Sequence, residues 1–168
     1  CEDYKAFLDR SKTERECVVS AVELAEKAGF RELTAGMALK AGDKVYSVNR
    51  GKSILLAVIG KKPLSEGANI GAAHTDAPRL DFKPNPLYED AELAYIKTHH
   101  YGGIRKYQWV TVPLELHGKI VRADGSEIYV KIGADPEDPQ FVINDLLPHL
   151  GREQGKKPLN EAIPSETL

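Results

Sequence analysis

ILLAVIGKKPLSEGANIGAAHTD, residues 54–76, is the stretch on which the fold turns. Ile54–Ile59 is an unbroken apolar run. A run of that length suits a central strand buried on both faces of a sheet. A polar loop, Lys61–Gly67, leads to a second apolar stub, Asn69–Ala73, which reads as another strand ending in His74-Thr75-Asp76. Upstream, Ser11–Glu14 (SKTE) has the spacing of a capping box, with Ser11 accepting from the Glu14 amide. After it Cys17, Val18, Ala21, Val22 and Ala25 recur at helical spacing, and Gly29 supplies a stop. A shorter helix before it gathers Tyr4, Phe7 and Leu8. Val45–Val48 reads as a strand entering the turn Asn49-Arg50-Gly51-Lys52. Helix first and buried strands next define an α/β sheet.

The texture changes after about Lys97. Val112, Leu114 and Leu116 alternate with Pro113 and Glu115, Asp124-Gly125 is a hairpin signal, and Ile128, Val130 and Ile132 alternate again. This predicts a half-buried antiparallel sheet. A boundary is expected near His99–Gly103, where Gly102-Gly103 gives flexibility. Asp135–Pro139 reads as a loop, Phe141–Leu150 as a short apolar segment, and the polar stretch from Gly151 to Leu168 as an exit linker.

Composition narrows the class. The 168 residues are 42% hydrophobic and 29% charged, so a packed core is expected. A formal charge of -2 argues against nucleic-acid binding by bulk charge. Lys61-Lys62 and Lys156-Lys157 are short basic pairs that read as solvated. No apolar run approaches membrane-spanning length, so no membrane partner is expected. Two cysteines, Cys1 and Cys17, read as reduced thiols in a cytoplasmic protein, and Cys17 falls on the apolar helix face. The chain begins at Cys1 without a methionine and stops just past a polar stretch, as a segment cut at both ends would.

His74 and Asp76 stand two apart, and on an extended backbone both lean to one face. Open α/β sheets bind ligands outside the carboxyl ends of their strands. A neutral imidazole there is a good zinc ligand. A nearby carboxylate can hold its other N–H, fix the tautomer and raise its basicity. The plainer alternative makes His74 a strand end and Asp76 a turn residue before Pro78. His99 and His100 read as surface residues at the boundary, His117 as solvent-facing, and His149, in LLPHLG, as a structural histidine among apolar residues. There is no G-x-S-x-G elbow, no phosphate loop and no catalytic thiol.

AAHTDAPRLDFKPNP, THHYGGIRKYQW, VPLELHGKIV and LLPHL follow one another in an order that resembles the aspartyl aminopeptidase / vacuolar aminopeptidase I family of zinc metalloaminopeptidases, in its bacterial form. The resemblance covers nearly the whole chain. It implies that residues 1–98 are the N-terminal part of an α/β catalytic domain. Residues 99–152 would be part of a mostly antiparallel insert used for dimerisation, and 153–168 a linker. His74 would ligate one zinc of a two-metal centre, and Asp76 would be the catalytic carboxylate that orients and polarises it. His149 would reach into a neighbouring subunit's site and hold the substrate or the tetrahedral intermediate. Peptides would be the substrates, cut at the first bond by a metal-activated water. Zinc would be the cofactor, with cobalt or manganese able to share the ligand set. Self-association would build dimers into a dodecamer.

The chain also departs from the family. The bridging carboxylate, the further ligands and the general-base glutamate lie downstream of the insert in such enzymes. Nothing between Gly151 and Leu168 matches them, and Glu161 and Glu166 carry no assignment. One zinc normally takes about three protein ligands. Two readings follow: part of a longer aminopeptidase, or a non-catalytic self-association or regulatory module.

Overall fold

The computed structural model describes residues 1–168, which form two compact units, Cys1–Ala77 and Pro78–Leu168. The division falls before Pro78 and not near His99, because the two strands on either side of residue 90 pair with each other and carry residues 79–101 as one ribbon.

The first unit opens with helices α1 (Glu2–Arg10) and α2 (Glu14–Lys27). The capping box is present, two residues later than the sequence suggested. Thr13, extended at φ -120°, accepts from the Glu16 amide at 3.3 Å, and the Glu16 carboxylate accepts from the Thr13 amide at 3.0 Å. Ser11 instead ends α1, and its hydroxyl donates to Ser20 Oγ at 3.0 Å. α2 stops where expected. Gly29 takes φ 84°, its amide bonds back to Glu26, and the Phe30 amide reaches the Ala25 carbonyl. That pair of bonds satisfies carbonyls that the helix end would leave open.

A three-stranded sheet follows, made of β1 (Arg31–Glu32), β2 (Lys44–Asn49) and β3 (Ser53–Val58), in the order β1-β2-β3. β1 runs parallel to β2, and β2 antiparallel to β3. The Asn49–Lys52 turn closes with both central residues at positive φ, Arg50 at 54° and Gly51 at 65°, the twist that a tight hairpin demands. The core of this unit sits where α2 meets the sheet. Val18 and Ala25 are buried on the helix and Val45 and Tyr46 on β2, and the Tyr46 hydroxyl donates to Glu26 at 2.8 Å. That bond to a carboxylate, with partial burial, holds the phenol above its ordinary pKa.

β2 is therefore the central strand. The ILLAVI run lies on the edge, and Leu55 and Val58 are each 61% exposed. The run has the composition of a buried strand, but within this unit only β2 pairs with it. Residues 69–73 form no strand, since no neighbouring segment pairs with them.

The second unit is built from two antiparallel ribbons. β4 (Arg79–Asp90) pairs with β5 (Leu93–Tyr101), and β6 (Leu116–Val121) with β7 (Glu127–Ile132). The first ribbon slips register between Phe82 and Leu87, across Lys83-Pro84-Asn85-Pro86. Two prolines there lack the N–H that an unbroken ladder needs. Tyr88 and Tyr95 stack beyond the slip at 5.2 Å between ring centres. The second ribbon matches the alternation read from sequence, although its first strand begins at Leu116. Leu114 makes only an isolated bridge to Phe141. His117 is not solvent-facing. Its side chain is 8% exposed and its Nε2 lies 2.8 Å from Glu115.

The last residues are not a free linker. Ile163 and Leu168 are buried, the Thr98 hydroxyl donates to the Leu168 carbonyl at 2.6 Å, and Lys83 pairs with Glu166 at 2.9 Å. The lysine holds the Glu166 carboxyl below the usual carboxylate range. His100, read as a surface residue, has its Nδ1 buried and its Nε2 3.3 Å from the Ser165 hydroxyl. No helix is long and apolar enough to cross a membrane.

Candidate metal ligand and its carboxylate

His74 and Asp76 sit near the end of the first unit, in a segment without regular secondary structure. The structure brings them together as their spacing suggested, although no strand carries them. His74 Nδ1 lies 3.0 Å from Asp76 Oδ1 and 2.9 Å from the Asp76 carbonyl oxygen. Both partners are acceptors, so Nδ1 carries the proton and donates to them. In the neutral ring the lone pair then falls on Nε2. The imidazole side chain is 81% exposed, against 38% for the Asp76 side chain. The carboxylate is thus the sheltered member and the ring the presented one.

This donor set fits one ligand position of a zinc site: a neutral imidazole whose tautomer is fixed by a carboxylate. It does not fit a whole site. Nowhere in the chain do three or more His, Cys, Asp or Glu side chains gather so as to hold a metal ion. His149, the candidate substrate-binding residue, lies exposed in the turn at residues 148–150 of the second unit.

One structural contribution had no sequence signal. Thr75, between the two site residues, is half-buried and its hydroxyl points to the carbonyl of Lys52 in the β2–β3 turn, at 3.5 Å. An H-x-D pattern says nothing about its middle residue, and the pairing spans 23 positions.

The chain belongs to the aminopeptidase I zinc metalloproteases, family M18, whose model matches residues 7–168. Among its relatives, a probable M18 family aminopeptidase 1 of Clostridium acetobutylicum is 51% identical over 98% of this chain and 36% of its own length. A crystal structure of an M18 aminopeptidase from Thermotoga maritima superposes with a TM-score of 0.90 at 44% identity, over 99% of this chain and 36% of that one. A Saccharomyces cerevisiae mApe1 dodecamer, 21% identical over 86% of this chain and 35% of its own, shares the fold with a TM-score of 0.67. The chain therefore spans little more than a third of the length of these relatives.

Proposed function

We propose that this chain acts within a metal-dependent aminopeptidase, to which it contributes one metal ligand and the carboxylate that positions it. The observation that carries this reading is the His74–Asp76 pair, with Nδ1 tied at 3.0 Å and Nε2 presented to solvent. Membership of a zinc metalloprotease family supports zinc as the metal. Cobalt or manganese would suit the same imidazole.

His74 would hold zinc through Nε2. Asp76 would keep the ring turned outward and accept its Nδ1 proton, which raises the basicity of Nε2. Zinc held there, as a pair in this reading, would supply Lewis-acid chemistry that activates a water and polarises the scissile carbonyl. His149 would donate to the substrate or to the oxyanion of the tetrahedral intermediate, in a neighbouring copy's site. Peptides with a free N-terminal amine would be the substrates. Residues 99–152 would serve dimerisation, and the dodecamer seen for the yeast structure supports assembly from copies of one chain.

The test uses the longer protein in which these residues occur. Release of N-terminal residues from peptides should stop on chelation and return with zinc. His74→Ala should lower both zinc content and turnover. Asp76→Asn should weaken zinc binding about 10- to 100-fold, the usual effect of losing such a partner. Turnover that survives complete metal removal would defeat the reading.

A further inference from the structure

Between Gly67 and Pro78 the chain has no helix or strand, and most of its residues are exposed. A ligand on such a segment is poorly placed unless something ties the segment down, because binding must then meet the cost of ordering it. The structure shows such a tie inside the first unit. Thr75 Oγ1 donates, over a long 3.5 Å, to the carbonyl of Lys52. Lys52 closes the β2–β3 turn, and that turn is itself gripped by α2. Arg15 Nη1 donates to the Arg50 carbonyl at 3.1 Å, and Lys52 Nζ pairs with Glu14 at 3.3 Å. Gly51 leaves room for the grip. A Cβ there would stand 3.3 Å from Arg15 Nη1, on a backbone at φ 65° that side chains rarely adopt.

We infer that Thr75 is a positioning residue for His74, and that the first turn of α2 fixes the metal ligand through Arg15, the β2–β3 turn and Thr75. The inference rests on the reading of His74 as a ligand. The helix is a rigid reference, capped at Thr13 and packed on β2 and β3. The turn transmits its position. The Thr75 hydroxyl lies one residue from His74, so its anchor limits where the ring can go. Asp76 sets which way the imidazole faces, and Thr75 sets where it stands.

Thr75→Val removes the hydroxyl and keeps the branched shape, whereas Thr75→Ser keeps the hydroxyl. In the longer protein, zinc affinity is measured by chelator competition, with thermal midpoints recorded alongside. Thr75→Val should bind zinc roughly 10-fold more weakly than wild type, at the lower end of what lost supporting contacts cost a metal site. Thr75→Ser should restore most of that loss. Arg15→Gln, which loosens the turn from the far side, should weaken zinc binding in the same direction, and it decides the matter if Thr75→Val fails to fold. Wild-type zinc affinity in the folded Thr75→Val protein, or in Arg15→Gln where Thr75→Val is unfolded, overturns the inference. His74→Ala is run beside them. Should it bind zinc as wild type does, the ligand reading itself falls; should it lose zinc while Thr75→Val does not, only the positioning role falls.

Discussion

Two residues in the first ribbon hold conformations that their side chains disfavour. Ala91 at φ 50° and Glu92 at φ 64° make the two-residue turn between β4 and β5, since Asp90 pairs directly with Leu93. Such a turn wants glycine or asparagine, because a Cβ in the left-handed region costs about 1–2 kcal/mol. The Glu92 amide donates to Glu89 at 2.8 Å, so the turn is held in spite of its residues. Replacing Glu92 with glycine keeps that amide and relieves the backbone. The expected gain is about 1 kcal/mol, read as a thermal midpoint higher by a few degrees. Ala91→Val should lower it. At this scale the sequence showed which side chains stand near each other and was silent about anchoring. Type and spacing place His74 and Asp76 beside each other but leave a strand-end reading open, and only the family resemblance singles them out, whereas the Thr75 contact to Lys52 needs a partner that only the folded chain supplies.

Elements defined by local signals were legible, and elements defined by their neighbours were not. The periodicity of α2 and its Gly29 stop are written within a few residues, as are the Asn49–Lys52 and Asp124-Gly125 turns. The cap was displaced because SKTE and TERE both fit the capping pattern. The structure chooses the second, since Thr13 is the residue whose backbone is extended at φ -120° and ψ 162°. Thr13→Ala should therefore cost about 1 kcal/mol of stability, measured by denaturant unfolding, whereas Ser11→Ala leaves both capping bonds intact and should cost less. For β3 the signal misled. Six apolar residues in a row record that a segment belongs in an interior without recording which surfaces make that interior. The stub at Asn69–Ala73 failed similarly, because a strand exists only with a partner.

Over the whole molecule, exposed large apolar side chains are spread along both units, from Tyr4 to Leu159. Leu55, Leu56 and Val58 stand out along β3, and β3 is also an open edge. An exposed, apolar, unpaired strand is a template for association. The 168-residue chain expressed alone should associate in a concentration-dependent way. Leu55→Lys should shift it toward monomer, as read by sedimentation velocity. In the second unit the same scale explains why the end of the chain resists a reading from composition. Its polar residues suggest a tether, yet Ile163 and Leu168 are buried and the segment is held by Thr98 and Lys83. Average polarity conceals two anchors. The compact units divide before Pro78 for a related reason. Texture changes near residue 97, but connectivity is set by strand pairing, and the β4–β5 pairing resumes past its register slip and continues to Tyr101.

The pairing of His74 with Asp76 is separated by two positions, and so asks almost nothing of chain closure. Contacts between distant residues must wait for long loops to shut, with an entropy cost that grows with the span. This one can form as soon as its own short segment bends. The imidazole can therefore be turned and its proton assigned on the timescale of local loop motion, ahead of the slower gathering of strands. If His74 is the metal ligand proposed above, an incoming ion would meet an imidazole whose Nδ1 is already held by Asp76, a seed encoded in three consecutive residues.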